Sequence, residues 1–189
     1  MSRRTLVFEI LHAALMSLWI GAAILAGAAA ALTFPTVKQL QPSLPTYARY
    51  DGEHWRIAGG KVMVPIFGFA GWMQVACVTL ACVAFFVARW PHHGLTGKRL
   101  TAFRALFLVL LVWATGYQSA VLRVRMTNNL YEEWSAAESG DNAAAQKARS
   151  AFDADHGRSN AALGGSVVLG LLCVGLAAAA CRPPREAAT

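Results

Sequence analysis

Apolar residues run in four long, little-interrupted stretches, residues 6–34, 62–88, 102–122 and 159–181. A helix that crosses a bilayer needs roughly 17–25 such residues, so each stretch predicts one transmembrane helix. Four crossings predict an all-α integral membrane protein, an up-down-up-down four-helix bundle forming one membrane domain over residues 1–189. The first helix is expected to close at Phe34-Pro35, and the second to start near Gly60-Lys61 with Pro65 in its first turns, where proline is best tolerated. Between them, Pro42, Pro45, Tyr47, Tyr50 and Trp55 predict a structured turn region lying on the membrane surface. No proline occurs between Pro91 and Pro183, so the third helix is expected to leave the membrane without stopping, uninterrupted from Leu100 to Glu138. Beyond Arg123, Met126, Leu130 and Trp134 keep one apolar face, and Ala144, Ala148, Ala151 and Phe152 give the returning helix a matching one. Ser139-Gly140-Asp141 supplies the turn, with Asp141 or Asn142 as helix cap. Residues 123–158 are thus read as an external helical hairpin, standing about 20–25 Å off the membrane at ~1.5 Å per residue.

Polar residues inside or beside the apolar stretches are the candidates for chemistry. Glu9, His12, Met16, Trp19 and Ala23 share one stripe of the first helix. Ionisable groups at membrane depth turn inward and find partners, so an inner-leaflet Glu9–His12 pair at i, i+3 is the minimal account. At the opposite mouth, Asp153, His156 and Asn160 fall at i, i+3, i+7 of the fourth helix. Lys61, Arg123 and Arg125 cross the same level; arginines leaving the low-dielectric region at the end of the third helix need acceptors, and by topology the nearest acids are Asp153 and Asp155 at the start of the fourth. A polar outer-mouth site of Lys61, Arg123, Arg125, Asp153, His156, Ser159 and Asn160 follows. Gly157 sits there in a helix interior, where glycine costs about 1 kcal/mol relative to alanine, so a close neighbour such as Trp55 or Trp72 is expected against it.

Composition agrees with a membrane protein: 56% hydrophobic and 14% charged residues. The net charge of +7 does not indicate nucleic acid, because the basic residues sit at the ends of apolar segments and form no aromatic-interleaved patch. They read as topology signals. Arg3, Arg4, Arg89, Lys98, Arg99, Arg104, Arg182 and Arg185 crowd short segments on one side with Glu186 as the one acid there, which makes that side, and both termini, cytoplasmic. The expected location is a bacterial-type inner membrane, with the bilayer as the principal partner.

Cys77, Cys82, Cys173 and Cys181 lie in or at the end of apolar helices without CxxC spacing, so neither a disulfide framework nor a thiolate metal site is implied. His92-His93 is an adjacent pair on a turn, lacks i, i+4 geometry, and reads as a solvated loop. Ser2-Arg3-Arg4 resembles a twin-arginine signal, but the apolar stretch behind it is about twice a signal's core and is retained as a helix. Asp153, His156 and Ser159 share one helix and cannot form a nucleophile–base–orienter triad, so no catalytic residues are assigned.

The order of landmarks resembles the transmembrane protein 205-like family, small four-helix membrane proteins whose bacterial members carry a domain of unknown function. The resemblance rests on His12 with Trp19-Ile20-Gly21, Gly60-Lys61 with Pro65, the polar end of the third helix, and Phe152-x-x-x-His156-Gly157-x-Ser159. Where that family usually places an asparagine one turn beyond the serine, this chain has Leu163. The resemblance implies the fold, membrane placement and a part in handling toxic compounds, but no reaction. The expected function is a non-enzymatic scaffold, or a protein that binds a small molecule or partner around His156, without cofactor or metal. The alternative is a haem- or metal-binding redox protein, since copper-resistance and porphyrin-oxidising four-helix families also open with a histidine in helix one. Placing His12 and His156 at opposite ends of the bundle, about 20 Å apart by helical rise, prevents them from sharing one iron. A transporter would need oligomerisation, so a homo-oligomer or membrane partner completes the expected partners.

Overall fold

The computed structural model describes residues 2–89 and 98–180. The Trp90–Gly94 turn with His92-His93, and the C-terminal group Cys181, Arg182, Arg185 and Glu186, lie outside the described residues. The described chain is all-α: α1 (Arg3–Leu40), a 3₁₀ turn (Pro45–Tyr47), α2 (His54–Arg89), α3 (Lys98–Tyr117), a π turn (Gln118–Leu122), α4 (Arg123–Ser139) and α5 (Asn142–Ala180). α3, the π turn and α4 form one helical rod, so four rods are long and apolar enough to cross a membrane. At ~1.5 Å per residue the 38 residues of α1 extend about 57 Å, well past a hydrocarbon core of roughly 30 Å.

Successive rods run antiparallel. Glu9 near the start of α1 meets Arg89 at the end of α2, while Phe34 near the end of α1 rests on Gly59 near the start of α2. The core joins Met16, Trp19 and Ile20 of α1, Cys77, Val78, Ala81 and Phe85 of α2, Leu108 and Leu111 of α3, and Cys173 of α5. Leu11, Leu18, Leu25 and Leu32 recur every seventh position on the outside of α1, exposed, which is the stripe that lipid covers.

Two expected boundaries move. α1 continues through Pro35 to Leu40, and α2 starts at His54, so Pro65 lies well inside α2 instead of in its first turns. The residues flanking Pro35 explain the continuation: Phe34 packs edge-on to Trp55 with ring centroids 6.5 Å apart, and the Lys38 ammonium lies 5.4 Å from the Trp55 ring. These contacts with α2 offset the hydrogen bond that proline cannot donate. Gln41, left-handed at φ 45°, then ends the helix.

The turn region packs on the α4–α5 arm. Tyr47 is buried with Ile57, Ala137 and Ala145, and the Asp51 N–H donates to Asn142 Oδ1 at 3.0 Å. Gly140 makes the tight turn at φ 82°, and Asp141 Oδ1 accepts from the Ala144 N–H, so Asp141 caps α5 while Asn142 holds the loop. The matching stripe of α5 keeps Ala148 buried and Phe152 half-buried but takes Ala145 in place of Ala144, and Ala151 is exposed. Small side chains at 145 and 148 let α4 and α5 approach closely.

Glu133, on α4, is buried in the arm with neither carboxylate oxygen hydrogen-bonded, 3.6 Å from Arg149. Burial, outweighing Arg149, holds its carboxyl above the ordinary carboxylate range. A folded-state value above the unfolded one contributes stability that is present below the unfolded value, about 4.3, and is lost as pH rises through the folded one. Unfolding of the arm, followed by hydrogen exchange, should therefore become harder as pH falls from neutral toward that range. Glu133→Gln should flatten the dependence and stabilise the arm at neutral pH by on the order of 1 kcal/mol. An unchanged slope in the variant would sink this assignment.

Candidate functional site: an amphipathic cleft beside His156

At the end of the bundle where α1 and α2 are joined by residues 41–53, α2 touches α3 and α4 only sparingly. The gap is a cleft of about 820 Å³, with α2 on one side, the π turn, α4 and α5 on the other, and α1 at its back. Gly60, one of its lining residues, stands against Trp134 of α4, whose ring would meet a Cβ there at 3.2 Å. Ala23, Ala26, Met63, Val64 and Phe67 give it an apolar wall. Gln118, Arg123, Asn128, Asp153, His156, Ser159 and Asn160 give it a polar one.

The seven expected mouth residues divide. Arg123, Asp153, His156, Ser159 and Asn160 line the cleft together. Lys61 and Arg125 do not. The Lys61 ammonium instead sits 5.0 Å from the Tyr47 ring and 5.7 Å from the Trp134 ring, a cation held on aromatic faces of the arm junction. Arg125, 56% exposed, pairs at 3.0 Å with Asp155, which is 1% exposed and also accepts from Arg158 at 3.0 Å. Helix rotation decides this split: the buried stripe of α5 runs through Ala148, Asp155, Ser159, Ser166, Gly170, Cys173 and Ala177, and Asp153, His156 and Asn160 lie beside it, facing the cleft.

Asp153 pairs with Arg149 at 3.3 Å, one helical turn back, and His156 stacks on Phe152 with ring centroids 5.4 Å apart. Asn160 Nδ2 lies 3.2 Å from His156 Nε2. Ser159 Oγ accepts from the amide of Gln118, a contact supplied by the π turn, whose extra residue redirects that side chain onto α5. The hydroxyl, imidazole and carboxylate are thus each engaged elsewhere and form no relay. Gly157 has nothing within 4 Å of a Cβ built on it, so no aromatic ring lies against it.

The third rod is continuous but carries a π turn, which the residue pattern did not reveal, nor did it reveal the placement of Gln118 and Gln74. Gln74 is 7% exposed, lines the cleft, and has an amide nitrogen without a partner. An amide in an otherwise apolar stretch was its only signal.

At the opposite end, Glu9 does not pair with His12. Its carboxylate, 2% exposed, accepts two bonds from Arg104, 3.1 and 2.8 Å, and a third from Arg89 at 2.9 Å. Both guanidiniums lie near the Phe85 ring, at 5.6 Å for Arg89 and 5.2 Å for Arg104. His12 bonds through Nδ1 to the Ala81 carbonyl oxygen at 3.0 Å, with Phe85 on its face at 5.8 Å. Two delocalised cations satisfy a carboxylate better than a ring on its own helix, which is why the distant partners win. The His12 Nε2 is buried without a partner, and His12 is not among the residues lining the cleft. Among the described residues no three His, Cys, Asp or Glu side chains are grouped to hold a metal ion.

No family model, no curated protein and no solved structure matches this chain.

Proposed function

We propose that this is a non-enzymatic multi-pass membrane protein that binds an amphipathic small molecule in the cleft beside His156. The observation that carries the reading is the two-sided lining of one 820 Å³ space, apolar on α1 and α2 and polar on α4 and α5. Ligand sites of about 300–1,000 Å³ with mostly apolar walls and a few converging polar groups are the common design of small-molecule binders. The density of Arg3, Arg4, Arg89 and Arg104 at the other end supports an orientation with both termini cytoplasmic and the cleft opening at the outer leaflet of an inner membrane. The landmarks shared with the transmembrane protein 205-like family support the same placement, since Phe152, His156 and Ser159 all line this cleft.

A Cβ on Gly68, which lines the cleft, meets nothing within 4 Å, so a side chain can start from that position. Gly68→Leu should weaken binding of a fluorescent diacylglycerol to the purified protein by about tenfold, the equivalent of about 1.4 kcal/mol, with an unchanged melting temperature. Equal binding by parent and variant would place the amphiphile elsewhere. An impermeant maleimide that fails to label Ser139→Cys in intact cells would reverse the orientation.

A further inference from the structure

We infer that the cleft holds an anionic glycerophospholipid, its phosphodiester on Arg123 and its acyl chains against Ala23, Ala26, Met63 and Phe67. This deepens the preceding reading and rests on it. The charges lining the cleft decide the headgroup. Arg56 is paired with Glu53 at 2.6 Å, and Arg149 with Asp153 at 3.3 Å and Glu133 at 3.6 Å. Arg123 alone has no carboxylate among the described residues. Its Nη1 donates to the Gly68 carbonyl oxygen at 3.3 Å, and its guanidinium lies 5.5 Å from the Trp72 ring. The absence of a side chain at Gly71 makes room for that guanidinium against α2.

A half-buried guanidinium with one neutral acceptor and one ring face is under-compensated, and a planar, multi-donor cation of this kind matches a phosphodiester. The Gln74 amide nitrogen, buried and unpartnered on α2 and lining the same cleft, offers a second donor to the bound lipid. A zwitterionic headgroup fits less well, because its ammonium needs a carboxylate and Asp153, the acid lining the cleft, is already paired with Arg149. Trp72 is largely exposed beside Arg123, and an amphipathic ring at that position suits the depth of lipid headgroups.

The test uses the delipidated full chain in detergent, titrated by native mass spectrometry with phosphatidylglycerol, phosphatidylethanolamine and diacylglycerol. Phosphatidylglycerol should bind about tenfold more tightly than the other two, and Arg123→Gln should reduce it to the diacylglycerol level while diacylglycerol binding stays as in the parent. Should the glutamine variant fail to fold, Arg123→Met gives the same readout. Equal affinity for all three lipids, or a phosphatidylglycerol preference that survives loss of Arg123, overturns the headgroup assignment and leaves the cleft as a binder of amphiphiles. Absence of any lipid binding by the parent, or binding that Gly68→Leu does not weaken, overturns the cleft reading and this inference with it.

Discussion

Replacing Glu9 with alanine should cost the bundle about 3–5 kcal/mol, the largest loss expected from any single substitution in this chain. Arg104 is 1% exposed, and it would be left with a buried positive charge facing that of Arg89 and no carboxylate between them. Water cannot reach the guanidinium as it would on a soluble surface, so the desolvation of Arg104 is no longer offset. Thermal melting in detergent should fall accordingly, and much of the protein should fail to reach the membrane folded. Glu9→Leu combined with Arg104→Leu should recover a good part of the loss, because removing both charges avoids the unpaired one. A Glu9→Ala variant that melts with the parent would mean that the carboxylate is not what holds α1, α2 and α3 together at this end.

Gly170→Leu should separate α1 from α5, and Gly157→Leu should not disturb the fold. A Cβ at Gly170 would lie 3.2 Å from Ile20 Cγ1, tighter than ordinary contact, with the fully buried indole of Trp19 behind it at 3.7 Å. Forcing a side chain into such a place costs typically about 1–3 kcal/mol, and in a membrane bundle close approach is itself what drives helices together. At Gly157 the space is open, so Gly157→Ala should stabilise α5 by up to about 1 kcal/mol through helix propensity alone. Melting temperatures of the three variants discriminate cleanly. A destabilised Gly157→Ala, or a Gly170→Leu that behaves like the parent, would contradict the packing of α5.

That α5 needs a close neighbour somewhere follows from its glycines; which glycine receives it depends on the rotation of the helix about its own axis. The same rotation turns Asp155 inward and leaves Asp153 on the cleft wall, although both acids stand at the same level of one helix. Lys61 is a similar case. It crosses the expected level, but Tyr47 and Trp134 draw its ammonium to the arm junction, and that aromatic pair exists only once residues 41–53 have folded onto α4 and α5.

The sequence by itself determined the four membrane-length rods, the Gly140 turn of the arm and the inward stripe of Glu9, His12, Met16, Trp19 and Ala23. Each of these is local: transfer free energy sums over about 20 adjacent residues, a left-handed turn selects glycine, and charge at membrane depth turns inward. Tertiary structure alone decided that Glu9 binds residues 80 and 95 positions away in preference to His12, that a π turn sets Gln118 on Ser159, and that α2 stands apart from α4 to leave a cleft. These depend on which faces of separate helices meet. Each residue along a helix turns the face by about 100°, so a shift too small to alter any apolar pattern is enough to exchange one partner for another.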